Sequence, residues 1–240
     1  NYLIFKYSFS HLHYHMDLYK EYPDDYWDLF KYSPTFAFAM APFRYLPDPL
    51  GLFIWNLLNA IFLIYAFLYF PFPSRKNLLA AGFILIELIT SLQNSQSNGL
   101  IAGLIMMSFL LLDRGKIVWS TFLLTAACFI KPFAIVAFIM FMFYPHLIRS
   151  IRISFFWFLA LLLLPLLFVN ANQLILMYKS WIHLLSRDHS ASNGISLIGI
   201  LQSWFHLKLG KNFVLVAGPL VLLAPLVRRS SWKSFEFRSL

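Results

Sequence analysis

The sequence predicts an all-α fold, a polytopic transmembrane helical bundle, and three observations carry that prediction. Of the 240 residues, 60% are hydrophobic and only 12% charged, where a soluble domain carries about half and about a quarter; the mean hydropathy is +0.69. The apolar residues gather into runs at 50–72, 77–92, 100–112, 117–145, 153–169 and 212–227, several of them near the roughly 20 residues a helix needs to cross a bilayer. Clusters of lysine and arginine stand at the ends of those runs. Backbone groups in lipid must be satisfied locally and no alternating barrel pattern is present, so the runs read as helices.

In chain order, the first element to explain is not apolar. Residues 11–34, HLHYHMDLYKEYPDDYWDLFKYSP, hold Asp17, Glu21, Asp24, Asp25 and Asp28, half of the ten acids in the chain. Tyr14, Tyr19, Tyr22, Tyr26, Trp27 and Tyr32 lie among them, and such rings suit a membrane interface or stacking against sugar. Carboxylates beside rings can accept sugar hydroxyls, and one can serve as a general base. For any single acid an ordinary solvated loop is the simpler account. His11, His13 and His15 share a face on a strand, and His11 and His15 do on a helix. No further ligand completes a closed zinc site, so no metal is expected.

The runs that follow take their orientation from charge. Arg75-Lys76, Arg114–Lys116, Arg149–Arg152 and Arg228-Arg229-Lys233 fall on the cytoplasmic side by the positive-inside rule. The net charge of +9 is then mostly topology, and the basic soluble face with interleaved aromatics that nucleic-acid binding requires is missing. The opening stretch, the turn Ser91–Asn98 and the segment Asn170–Lys211 fall on the opposite side.

Run 117–145 must leave and re-enter the same side, and Lys131-Pro132 interrupts it. Two half-helices of about 14 residues reach roughly 20 Å each, short of the 30 Å hydrocarbon core. A broken pair meeting at Lys131-Pro132 follows, since proline removes a donor and clashes with the preceding turn. Irregular backbone at that depth needs a cavity. A lysine there costs about 2.5 kcal/mol or more unless it faces a cavity and an anion; the plainer alternative is snorkelling to an interface. Gln93, Asn94, Gln96 and Asn98 can line a site for a hydroxyl-rich or phosphate ligand, or form a simple polar turn. Cys128 is the only cysteine and cannot form an internal disulfide. The chain opens on Asn1 without a signal pattern, so residues 1–240 are expected to be one membrane domain, an internal piece of a longer protein.

Several segments resemble glycosyltransferase family 87 in order: Asp17-Leu18-Tyr19, Phe30-Lys31-Tyr32-Ser33-Pro34, Ala41-Pro42-Phe43 with Leu46-Pro47, and Trp55-Asn56-Leu57-Leu58-Asn59. The likeness continues through Gln93–Asn98, Asp113-Arg114-Gly115-Lys116, Ile130-Lys131-Pro132-Phe133 and Ser192-Asn193-Gly194-Ile195-Ser196-Leu197. It implies a bundle of GT-C type with short broken helices and extracytoplasmic loops, from a bacterial member. It also implies transfer of a hexose, mannose being the family's commonest association, from a polyprenyl-phosphate sugar to a hydroxyl of a glycan or glycolipid. The reaction would be a single inverting displacement on the outer face of the cytoplasmic membrane, without cofactor. No glycine-rich nucleotide loop is present.

The family's base belongs to a D-x-x-x-Y-like motif. Tyr2 matches its tail, which sets the acid upstream of Asn1 and leaves Asp17 as the best acid in a matching segment. The resemblance further implies Lys131 at the phosphate, Gln93, Asn94, Gln96 and Asn98 as polar lining, and Lys31 and Tyr32 near the sugar. Asn193 and Ser196 would contribute from a second outer loop, near Arg187, Asp188 and His189. A multi-pass transporter is the alternative, although no internal repeat supports it.

Overall fold

The computed structural model describes residues 1–70, 74–187 and 204, and every regular element among them is helical. Asn1–Leu185 form one unit; Ser186–Leu240 form a second, of which only the end of one helix and Trp204 are described. Helices α1 (Tyr2–His13) and α2 (Pro34–Ala39) flank the acidic stretch, which has no regular structure between them. Ser33 starts α2 by accepting the Phe36 amide at 3.1 Å. Pro34 follows in the first turn, where a missing N–H costs nothing.

A 3₁₀ turn at Ala41–Tyr45 leads into α3 (Asp48–Leu68). The chain then runs through α4 (Ser74–Gln93), α5 (Asn98–Asp113) and α6 (Ile117–Ile130). α7 (Leu147–Leu163) continues as a 3₁₀ turn to Leu167, and α8 (Ala171–Arg187) follows. α3 and the 21 residues Leu147–Leu167 are long and apolar enough to cross a membrane. Only 28% and 17% of their apolar windows are buried, whereas a core helix of a soluble protein would be mostly covered. Phe53, Ile61, Leu68, Ile148, Phe155 and Leu167 all face outward, as lipid-facing residues do. The expected all-α membrane bundle is therefore the fold.

Small residues let α3 and α5 approach closely. Gly99 and Gly103 lie on the face of α5 against α3, and a Cβ on Gly103 would come within 2.6 Å of the Phe62 carbonyl carbon. This is the small-xxx-small spacing that lets membrane helices approach closely. The buried start of α5 leaves backbone donors to satisfy. Asn59 on α3 takes one, accepting the Leu100 amide at 2.9 Å, and its own NH₂ donates to Trp55 O at 3.0 Å.

Arg114 at the end of α5 and Arg149 and Arg152 in α7 mark one end. Tyr144 OH donates to Asp113 Oδ1 at 3.1 Å, and the Arg114 guanidinium lies 5.7 Å from the Tyr69 ring centre. These contacts join the ends of α3 and α5 to the end of the segment Pro132–Phe143, just before α7, which carries Arg149 and Arg152. The opposite end gathers the acidic stretch and the turn between α4 and α5: Asn1 Nδ2 donates to Asn94 O at 2.6 Å and Trp55 Nε1 to Ser95 O at 3.1 Å.

The break at Lys131-Pro132 is present, with one correction. The first half is the expected α-helix, α6, and Lys131 is extended with φ −136° and ψ 121°. The second half, Pro132–Phe143, is a 3₁₀ helix of 12 residues and not the expected α half-helix. A 3₁₀ helix rises about 2.0 Å per residue against 1.5 Å, so this half spans about 24 Å. Apolar run 212–227 lies outside the described residues.

Candidate functional site

A ring-lined core holds the site. Phe5 of α1 meets Tyr32, Phe36 and Trp55 edge to face, with centroids 4.9, 5.3 and 5.3 Å away. Phe30 is fully buried beside them. Tyr19 OH donates to Tyr32 O at 3.0 Å and Trp181 Nε1 to Lys31 O at 3.1 Å, so α8 and the acidic stretch together fix the backbone of Lys31-Tyr32. Burial pushes the Tyr19 phenol well above its usual range and raises that of Tyr32; both remain neutral at physiological pH.

Over this wall opens a cleft of about 260 Å³, lined by Asn1, Asp28, Lys31, Tyr32, Lys131 and Phe133 among others. Lys131 Nζ donates to Asn98 Oδ1 at 2.7 Å and lies 5.8 Å from the ring centres of both Tyr32 and Phe133. Among the described residues no carboxylate comes within ion-pair distance of it. The amide is itself oriented, since Asn98 Nδ2 donates to Gln96 Oε1 at 2.8 Å. Ser97 Oγ bonds Tyr32 OH at 3.4 Å and closes the link back to the wall.

A second cleft, about 340 Å³, lies on the other side of the ring wall. Its lining is nearly all apolar, including Phe36, Met40, Trp55, Phe62, Phe122 and Ile130. Ile130 and Lys131 are consecutive, and the Tyr32 and Phe36 rings, one in each lining, stack at 4.8 Å. One residue step therefore separates a cationic, polar cleft from an oily one.

The sequence-derived candidates divide. Lys31, Tyr32 and Lys131 line the polar cleft, and Gln96 and Asn98 support Lys131 from behind. Asn94 contacts the cleft wall through the bond from Asn1, while Gln93 is exposed at the end of α4. Asp17 is not in the lining: its carboxylate accepts the Tyr19 amide at 3.1 Å and Ser180 Oγ at 3.4 Å, and its carbonyl accepts Tyr22 OH at 2.7 Å. Those bonds shape the loop. The acid in the lining is Asp28; the sequence placed it among five equivalent acids, and an aperiodic loop gives no signal to single it out. Asn193 and Ser196 lie outside the described residues.

The three histidines separate. His11 is buried, its Nε2 at 2.8 Å from Asp25 Oδ2 and its Nδ1 at 3.3 Å from Tyr26 OH. His13 stacks on Phe9 at 6.0 Å, and His15 turns away from the helix with φ 58°. Among the described residues no cluster of metal-ligating side chains forms.

Comparison with known proteins gives one family. No curated protein and no solved structure matches the chain. A family model described as glycosyltransferase family 87 matches residues 30–238, a span that includes Lys31, Tyr32, Lys131 and both halves of the broken helix. With most of its length matched, and with the all-α membrane fold described above, the chain belongs to glycosyltransferase family 87 and is a membrane glycosyltransferase.

Proposed function

We propose that the protein transfers a hexose, mannose being the first to try, from a polyprenyl-phosphate sugar to a hydroxyl of a glycan or glycolipid. The observation that carries this reading is the pair of clefts joined at Ile130-Lys131. A donor of this class is a phosphate with a polar sugar on one side and a long isoprenoid on the other. The 340 Å³ cleft offers apolar walls for the start of such a chain, and Lys131 offers a fixed cation at the junction for the phosphate. The hexose then lies in the 260 Å³ cleft beside Asp28, Lys31 and Tyr32.

The chemistry is a single inverting displacement. The acceptor hydroxyl gives its proton to a carboxylate, its oxygen forms a bond to the anomeric carbon, and the bond from that carbon to the phosphate oxygen breaks. The phosphate departs with the electron pair, and Lys131 stabilises the added charge without having to reorganise, because Asn98 already holds it. Asp28 is the described acid positioned for the proton. The resemblance sets the family acid upstream of Asn1, and Asn1 itself lines the same cleft. Asp17 supports the loop.

The basic end of the bundle is read as cytoplasmic, which puts the clefts on the outer face of a bacterial cytoplasmic membrane in a multi-pass protein. The 240 residues are read as one membrane domain of a longer enzyme. No cofactor and no nucleic acid enters this reading. The test is transfer of radiolabelled hexose from polyprenyl-phosphate mannose and polyprenyl-phosphate glucose in membranes containing the protein. Transfer that collapses in Lys131→Ala supports the proposal. No transfer from either donor, together with solute uptake into vesicles, would replace it with the transporter.

A further inference from the structure

We propose that Trp27 and the small cavity beside it form a subsite for a saccharide acceptor. The inference rests on the transferase reading for the word acceptor, but its physical basis is independent. Trp27 is 87% exposed. It is not loosely held: its neighbour Tyr26 is buried and bonded to His11, Asp25 bonds the same histidine, and Phe30 is locked in the core. The loop thus presents the indole on a fixed backbone, so little ordering is left to pay for when a ligand arrives.

An exposed tryptophan in a membrane protein is most simply an interface anchor. Its surroundings argue otherwise. Glu21 and Asp28 line the cavity with it and are exposed, as is Asp24 three residues before it, and a group of carboxylates is repelled by anionic headgroups. A flat apolar face ringed by hydrogen-bond acceptors matches the two faces of a sugar, C–H on one side and hydroxyls at the edge.

The cavity suggests how a sugar would lie. Glu21, Tyr22, Pro23, Tyr26, Trp27 and Asp28 enclose about 60 Å³. This space is far smaller than the 260 Å³ cleft beside it, so it suits the edge hydroxyls of a sugar better than a whole ring. The exposed indole offers the ring a flat face, with its edge hydroxyls entering the cavity. Asp28 lines both this cavity and the 260 Å³ cleft. A hydroxyl reaching from the Trp27 platform toward the cleft therefore passes the carboxylate on the way.

The test has two arms on the purified full chain in nanodiscs. In the first, tryptophan fluorescence is titrated with methyl α-mannoside, methyl α-glucoside and α-linked mannobiose. Wild type and Trp119→Phe, an exposed ring on α6, should respond alike, and Trp27→Phe should lose the response. In the second, Trp27→Ala should raise the acceptor KM about ten-fold, the scale of one good ring contact, with the donor KM unchanged. A wild type that binds sugar through Trp27 but transfers nothing would overturn the transferase reading and leave the subsite standing. Fluorescence unchanged by every sugar, or a response and acceptor KM that survive loss of Trp27, would overturn the subsite.

Discussion

Asn59 on α3 accepts the amide proton of Leu100 on α5 at 2.9 Å, and this one bond ties a membrane helix to the support of the polar cleft. Leu100 is two residues from Asn98, whose side chain holds Lys131. Asn59 is fully buried, so Asn59→Leu leaves a buried donor without a partner and should cost about 1–3 kcal/mol. Thermal unfolding in detergent should show the loss. Transfer measured well below the new midpoint should fall too, because the amide behind Lys131 is no longer fixed; full transfer there would separate packing from catalysis.

Gly103 should be the least replaceable residue of α5. Its added Cβ would lie 2.6 Å from Phe62 C and 2.8 Å from Leu63 N, which are backbone atoms that cannot step aside. Gly103→Ala should destabilise by about 1–3 kcal/mol, and Gly103→Leu should fail to fold. Gly82, with open space around its Cβ, is the control, and Gly82→Ala should be neutral or slightly stabilising. An unchanged midpoint for Gly103→Ala would refute the close approach of α3 and α5.

Lys131→Ala should reduce kcat/KM about 10- to 100-fold, the range for a hydrogen bond to a charged group. Lys131→Arg should recover part of that. Asp28→Asn should lower kcat, while Asp17→Asn should act mainly on stability, since Asp17 bonds its own loop and Ser180 on α8. The reverse pattern, with Asp17→Asn fully folded and inactive, would return the catalytic role to Asp17.

The tyrosines around the acidic loop give a pH signature. Burial raises Tyr19 and Tyr26 above their ordinary value of 10.0, and pushes Tyr178 up to about 12. The folded protein therefore keeps protons that the unfolded chain releases near pH 10, and stability must fall as pH rises beyond that point. Phenolate absorbance should grow in two stages, with the buried group ionising only as the loop opens. A single transition near pH 10 would mean these rings are not buried.

Much of this was legible in the residues. Composition and run length gave the helical membrane fold, and the proline after Lys131 gave the break, because both are local properties of the chain. The 3₁₀ form of Pro132–Phe143 was not legible: its apolar residues suit either helix, and the choice between them depends on tertiary packing. The position of Asp28 in the cleft lining, with Asp17 outside it, was likewise hidden. It depends on how α1 and α8 fold over a stretch without periodicity, and on the bond from His11 to Asp25 across 14 positions.

The stretched geometry of Pro132–Phe143 acts as a depth gauge. Twelve residues in 3₁₀ form measure about 24 Å, and the same residues wound as an α-helix would measure about 18 Å. With Tyr144 pinned to Asp113 at the basic end, the winding of this segment sets how far from that end Lys131 stands. A change of winding alone would draw the cation inward by about 6 Å, roughly one helical turn. The height at which Lys131 stands in the bundle is thus written in backbone pitch and not in the number of residues.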